Sequence, residues 1–125
     1  MSYNATIKDG REIYIPTWAV DVALENVTKA GKYLGTNHVI NISSLKLPAA
    51  IVALMEAEDP KQATNLIKHF ICQVRIDGNK ITLETIDDMF EGNLIVVLEL
   101  FTHVMYSQYN DFFEQGLAKE PSLGK

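Results

Sequence analysis

The sequence predicts a mainly α fold, a compact bundle of about five helices with a short N-terminal β-hairpin. Three observations carry this reading. Apolar residues recur at helical spacing over 18–34, 60–74 and 93–116. Helix-start and helix-stop residues fall between those stretches, at Gly35, Asp59-Pro60 and Gly92-Asn93. Near the N-terminus the pattern instead alternates, with Ile13 and Ile15 on one face and Glu12 and Tyr14 on the other.

The elements follow in order. Asp9-Gly10 is a turn signal between Ala5-Thr6-Ile7 and Glu12 to Ile15, which predicts the hairpin. An isolated hairpin is marginal in water, so this one must lie on the helical body or pair with a partner. Pro16 closes the run and Thr17 offers a cap for a helix over 18–34, with Gly35 at its C-terminal end. Residues 36–47 read as a connector too apolar to be a solvated loop, with a turn of helix around 42–46. Pro48 suits the first turn of the next helix. Ala49 to Met55 is apolar all round, which predicts a short helix buried at the centre.

Asp59-Pro60, with Gln62 at the capping-box position, starts a helix over 60–74. Its stripe is Ala63, Leu66, Ile67, Phe70, Ile71 and Val74. Around Asp77-Gly78-Asn79 two readings stand. Either Val74 to Ile76 pairs with Lys80 to Thr82 as a second small β element near 74–82, or the segment joins two helices directly. Thr82 or Thr85 caps a short helix that ends at Gly92. Asn93 caps the last and longest helix, whose stripe is Leu94, Val97, Leu98, Phe101, Met105, Tyr109 and Phe112. Gly116 closes it. Residues 1–116 thus read as a single helical domain, and 117–125 as a flexible C-terminal tail.

Composition narrows the function. A chain of 125 residues fits one domain, and 47% hydrophobic residues suffice for a core. The net charge of −5 and the scattered Lys and Arg argue against nucleic-acid binding, which needs clustered positive charge. One cysteine excludes an internal disulfide and any multi-cysteine metal site. The first residues, MSYNATIKDGRE, lack the apolar segment of a secretory signal. The longest apolar run, Pro48 to Met55, is far short of the roughly 20 residues that span a bilayer. These observations predict a cytoplasmic protein with no membrane contact.

The candidate chemistry is sparse. His69 and Cys72 stand i, i+3 on one helix, but a nucleophile pair also needs an orienting group and an oxyanion site. Cys72 therefore reads as a packed structural cysteine. Glu99 and His103 form an i, i+4 helix pair, not the Glu-x-x-His spacing of a bundle metal site. His38 reads as structural. Glu84, Asp87, Asp88 and Glu91 lack a calcium-loop pattern and suit a helix N-terminus electrostatically. No phosphate loop, nucleophile elbow or zincin motif occurs. The expectation is no catalysis, no cofactor and no metal.

The aromatics are the more informative residues. Tyr106, Tyr109, Phe112 and Phe113 crowd the end of the last helix, and Trp18 opens the first. Neighbouring helical positions point about 100° apart, so one stripe cannot bury both Phe112 and Phe113. Either other elements wrap this end, or an aromatic edge is exposed for a partner or for self-association.

The stretches IPTWAVDVALENVTKAGKYLG, LIKHFICQVRIDG and IDDMFEGNLIVVLELFTHVMYSQYNDFF, in this order, resemble tail assembly chaperones of long-tailed bacteriophages. The resemblance spans about residues 11–116. Its landmarks are Trp18, Phe70, Phe90-Glu91-Gly92-Asn93 and the cluster from Tyr109 to Phe113. It implies a binding protein of the infected bacterial cytoplasm that keeps the tape measure protein soluble, with the tail tube protein as a further partner. It also implies a longer form made by ribosomal frameshifting, with which the terminal Gly124-Lys125 is compatible. The contact surface is expected at Trp18, Tyr106, Tyr109, Phe112 and Phe113, with homo-oligomer formation through the same surface. Two alternatives are a structural or connector subunit of the virion and a small helical regulator of a host factor.

Overall fold

Two hairpins and six helices make up the computed structural model, which describes residues 2–118. Strands β1 (Ser2–Thr6) and β2 (Glu12–Pro16) pair antiparallel, with Tyr3 opposite Ile15 and Ala5 opposite Ile13. Ile13 and Ile15 are buried and Glu12 and Tyr14 exposed, as the alternation requires.

The second β element is present. Strands β3 (Arg75–Ile76) and β4 (Asn79–Lys80) pair around a two-residue turn, Asp77-Gly78, where φ is +49° and +82°. Both central residues in the left-handed region give the turn whose twist matches a hairpin. The sequence did not reveal that β2 also pairs with β3, joining the hairpins into one sheet in the order β1-β2-β3-β4. Asp77 locks that junction. Its N–H donates to the Glu12 carbonyl at 2.8 Å, and its Oδ1 accepts from the Glu12 N–H at 3.0 Å.

The helices depart from expectation at several ends. Helix α1 (Val20–Leu34) starts after Ala19, which caps it without a side-chain bond, so Thr17 is not its cap. Gly35, at φ +91°, ends α1 and begins α2 (Thr36–Ile42). The expected connector is therefore helical in its first half and not around 42–46, because Val39 and Ile42 gain burial there.

Helix α3 (Leu47–Glu56) corrects the expectation of a fully buried element. Ala50 and Ala53 are buried, but Ile51, Val52 and Met55 on the opposite side are exposed. Small alanines let this helix lie close against its neighbours on one side, and nothing in the described chain covers the other.

Helix α4 (Pro60–Ile71) starts as expected, with the Asp59 carboxylate accepting the Gln62 N–H at 3.2 Å. It ends three residues early, yet Val74 remains buried at the entry to β3. Thr82 and Thr85 cap each other before α5 (Ile86–Met89), each backbone N–H donating to the other's hydroxyl.

Helix α6 (Leu94–Ala118) runs through Gly116 instead of stopping there, so residues 117 and 118 are helical. The remainder of the expected tail lies outside the described residues. The buried face of α6 is Val96, Leu100, Phe101, Val104, Met105 and Tyr109, while Leu94 is 76% exposed. Phe101, Met105 and Tyr109 of the expected stripe lie on this face and Val97 and Leu98 pack beside it, so only its first turns were misplaced, because LIVVLELF is apolar on nearly every face and leaves its own phase undetermined. The core centres on Phe70, whose ring lies 5.5 Å from Phe101 and 5.1 Å from Trp18.

Candidate partner-binding surface

The five aromatics expected to form a contact surface divide into three environments. Trp18 faces inward. Its ring meets Phe70 edge-on at 82° and Tyr109 at 6.1 Å. Its indole nitrogen is buried and has no hydrogen-bond partner among the described residues. The Trp18 N–H donates to Gln108 Oε1, and Gln108 Nε2 donates to the Pro16 carbonyl, so this side chain of α6 fixes the chain leading into α1.

Tyr109 is a core residue, 3% exposed. Its hydroxyl donates to the Ala23 carbonyl at 2.6 Å. Burial pushes its phenol well above the usual tyrosine range. Tyr106 is half-buried and stacks at a tilt on Tyr3, 5.6 Å away. Tyr3 in turn shares a 2.9 Å hydrogen bond with His103 Nδ1. These two tyrosines and His103 hold β1 against α6.

Phe112 and Phe113 differ from the rest. Phe112 is 51% exposed and Phe113 half-buried, with rings 5.1 Å apart in edge contact. Both open onto a concavity of about 440 Å³ whose other walls are Val27, Thr28, Gly31 and Lys32 of α1 and Thr36 and Val39 of α2. Of the five expected contact residues, Phe112 is the one whose ring is mostly exposed, and the sequence reading did not place α1 opposite it. On α1, Val20, Leu24, Val27 and Gly31 repeat at i, i+4, i+7 and i+11, and Val20 and Leu24 are exposed. The signal was present, because helical spacing over 18–34 was recognised, but the sequence did not say which side of this helix faces outward.

The weaker candidates find structural partners. Burial raises the Cys72 thiol pKa, which disfavours the nucleophilic thiolate. His103 pairs with Tyr3, and Glu99 Oε2 accepts the Lys8 N–H at 3.0 Å, so each serves the β1–β2 hairpin. Burial lowers the His103 pKa despite the opposing charge of Glu99. His38 Nε2 lies 2.7 Å from Glu56 Oε1 and links α2 to the end of α3. Of the acidic cluster, Asp87 stands 4.0 Å from Lys68 Nζ. Among the described residues no group of His, Cys, Asp and Glu is arranged to hold a metal ion, and no helix is long and apolar enough to cross a membrane.

The arrangement is an open, largely apolar cleft bordered by α1, α2 and the end of α6, with Phe112 and Phe113 on its rim. A family model described as phage tail assembly chaperone protein, TAC, matches residues 9–119. No curated protein and no solved structure matches the chain. With a match over nearly its whole length, the chain belongs to the phage tail assembly chaperone family.

Proposed function

We propose that this chaperone binds the tape measure protein through the cleft between α1 and the end of α6, and keeps it soluble in the cytoplasm of the infected bacterium. It acts by binding alone, without catalysis, and releases its client as tail tube subunits polymerise. The observation that carries this reading is Phe112, a large aromatic half exposed beside an apolar cleft.

A tape measure protein is a long helical chain whose apolar faces have no partner before assembly. An amphipathic helix lays such a face into a groove through anchors at i, i+3, i+4 and i+7. The α1 stripe from Val20 to Gly31 covers 12 residues and rises roughly 17 Å, about three turns of a client helix. Phe112 and Phe113 supply the opposite wall. Trp18 and Tyr109 support it from beneath, and the net charge of −5 keeps the complex dispersed.

The test is co-expression with the tape measure protein of the same phage. The expected result is a soluble client that co-elutes with this chain. A client that stays insoluble, or elutes apart, contradicts the proposal. Recovery of this chain from purified virions favours a structural subunit instead.

A further inference from the structure

We infer that the polar furrow between α1 and α4 is a binding site for the carboxylate of an acidic side chain carried on a protein partner. At about 100° per residue, its α1 wall lies on the flank of that helix turned away from Val20, Leu24 and Val27. The furrow is therefore separate from the α1–α6 cleft, and the inference does not rest on the client proposed there.

Each helix gives the furrow one row of polar side chains at i, i+3 and i+7. Asn26, Lys29 and Tyr33 come from α1, and Gln62, Asn65 and His69 from α4. The space between the rows is about 320 Å³, and the buried Leu66 and Phe70 form its apolar part.

Asn26 marks this furrow as a site. It is 7% exposed, and its amide forms no hydrogen bond among the described residues. A buried amide without a partner costs stability. This one lines the furrow, where a ligand satisfies it.

Charge selects the occupant. The chain carries −5, yet Lys29 lines this furrow and no Asp or Glu does. The Lys29 ammonium only donates, and the three amides and the imidazole each bring at least one N–H. Such a set fits an acceptor-only group, and hydrogen bonds from an ammonium to a carboxylate are the strong kind. The aliphatic stem of an acidic side chain lies on Leu66 and Phe70 while its head meets Asn26 and Lys29. Lys29, Gln62, Asn65 and His69 are exposed, whereas a free small molecule needs a site that covers most of its surface. The rest of a protein segment, lying across α1 and α4, supplies that cover.

NMR of the full chain, titrated with a capped alanine–glutamate peptide, tests this. The expected result is movement of the side-chain amide signals of Asn26, Gln62 and Asn65, with none from the alanine–glutamine counterpart. Lys29→Gln weakens the glutamate peptide by at least about fivefold. Asn26→Leu weakens it similarly but raises the urea midpoint, because it removes an unpaired buried amide. A merely structural asparagine would do the reverse, so a lowered midpoint overturns the inference. So does an absence of movement with the glutamate peptide, equal movement with the glutamine peptide, or wild-type affinity in Lys29→Gln. Glutarate binding as tightly as the peptide would make this a site for a free anion and overturn the protein partner.

Discussion

The Tyr109 hydroxyl donates a 2.6 Å hydrogen bond to the Ala23 carbonyl, tying the middle of α6 to the first turns of α1. The two helices that border the cleft are held in register by this bond and by the contact of Tyr109 with Trp18. Tyr109→Phe keeps the ring and loses the bond. It should cost about 1 kcal/mol in urea unfolding. Tyr109→Ala also opens a cavity in the core and should cost about 3–5 kcal/mol.

The same residue makes stability fall in alkali. Burial raises the Tyr109 pKa in the folded state above its ordinary 10.0. The folded chain therefore disfavours the phenolate, and the stabilisation is complete below pH 10 and lost as pH rises above it. Urea midpoints measured from pH 8 to 11 should drop in the wild type. The drop should be smaller in Tyr109→Phe, with Tyr3, also raised by burial, accounting for part of what remains.

His103 has the opposite sign. Burial depresses its pKa below 6.5, so folding favours the neutral ring that bonds to Tyr3. Its contribution is present above pH 6.5 and is lost as pH falls below that value. Urea midpoints at pH 5 and 7.5 should differ less in His103→Gln than in the wild type.

Asp77 joins the two hairpins through Glu12 while occupying a left-handed turn position. Asp77→Asn keeps an acceptor and tolerates that conformation. Asp77→Ala does neither, and should be destabilised by about 1–2 kcal/mol relative to Asp77→Asn in thermal or urea unfolding.

Phe112 should behave differently from all of these. Phe112→Ser removes a side chain that is half exposed, and should change stability by less than about 1 kcal/mol. It should nevertheless reduce co-purification of the tape measure protein. Phe113→Ser should cost more stability, because that ring is half-buried against Tyr109.

Much of this fold was legible in the sequence where local chemistry and periodicity agreed. Asp59, Pro60 and the stripe from Ala63 to Ile71 fix α4 by cap and spacing alone. Ile13 and Ile15 announce β2 by alternation. Where a segment is apolar on all sides, periodicity carries no phase, so the first turns of α6 were misplaced and α3 was placed too deep. The pairing of β2 with β3 was not legible, because two residues of contact across 60 intervening positions leave no local pattern. Phe112 and Phe113 were singled out because adjacent aromatics cannot share one buried stripe, and Phe112 is indeed exposed. Trp18 and Tyr109 were grouped with them because the sequence alone does not distinguish an aromatic packed on the core from an exposed one.

The most direct test of the cleft is photocrosslinking during co-expression, with p-benzoylphenylalanine at position 112 and, as an exposed control, at position 79 on the β3–β4 hairpin. A covalent adduct with the tape measure protein from position 112, and none from 79, is the predicted result. Equal adducts from both positions, or none from 112 while the two proteins still co-elute, would contradict the placement of the client between α1 and α6.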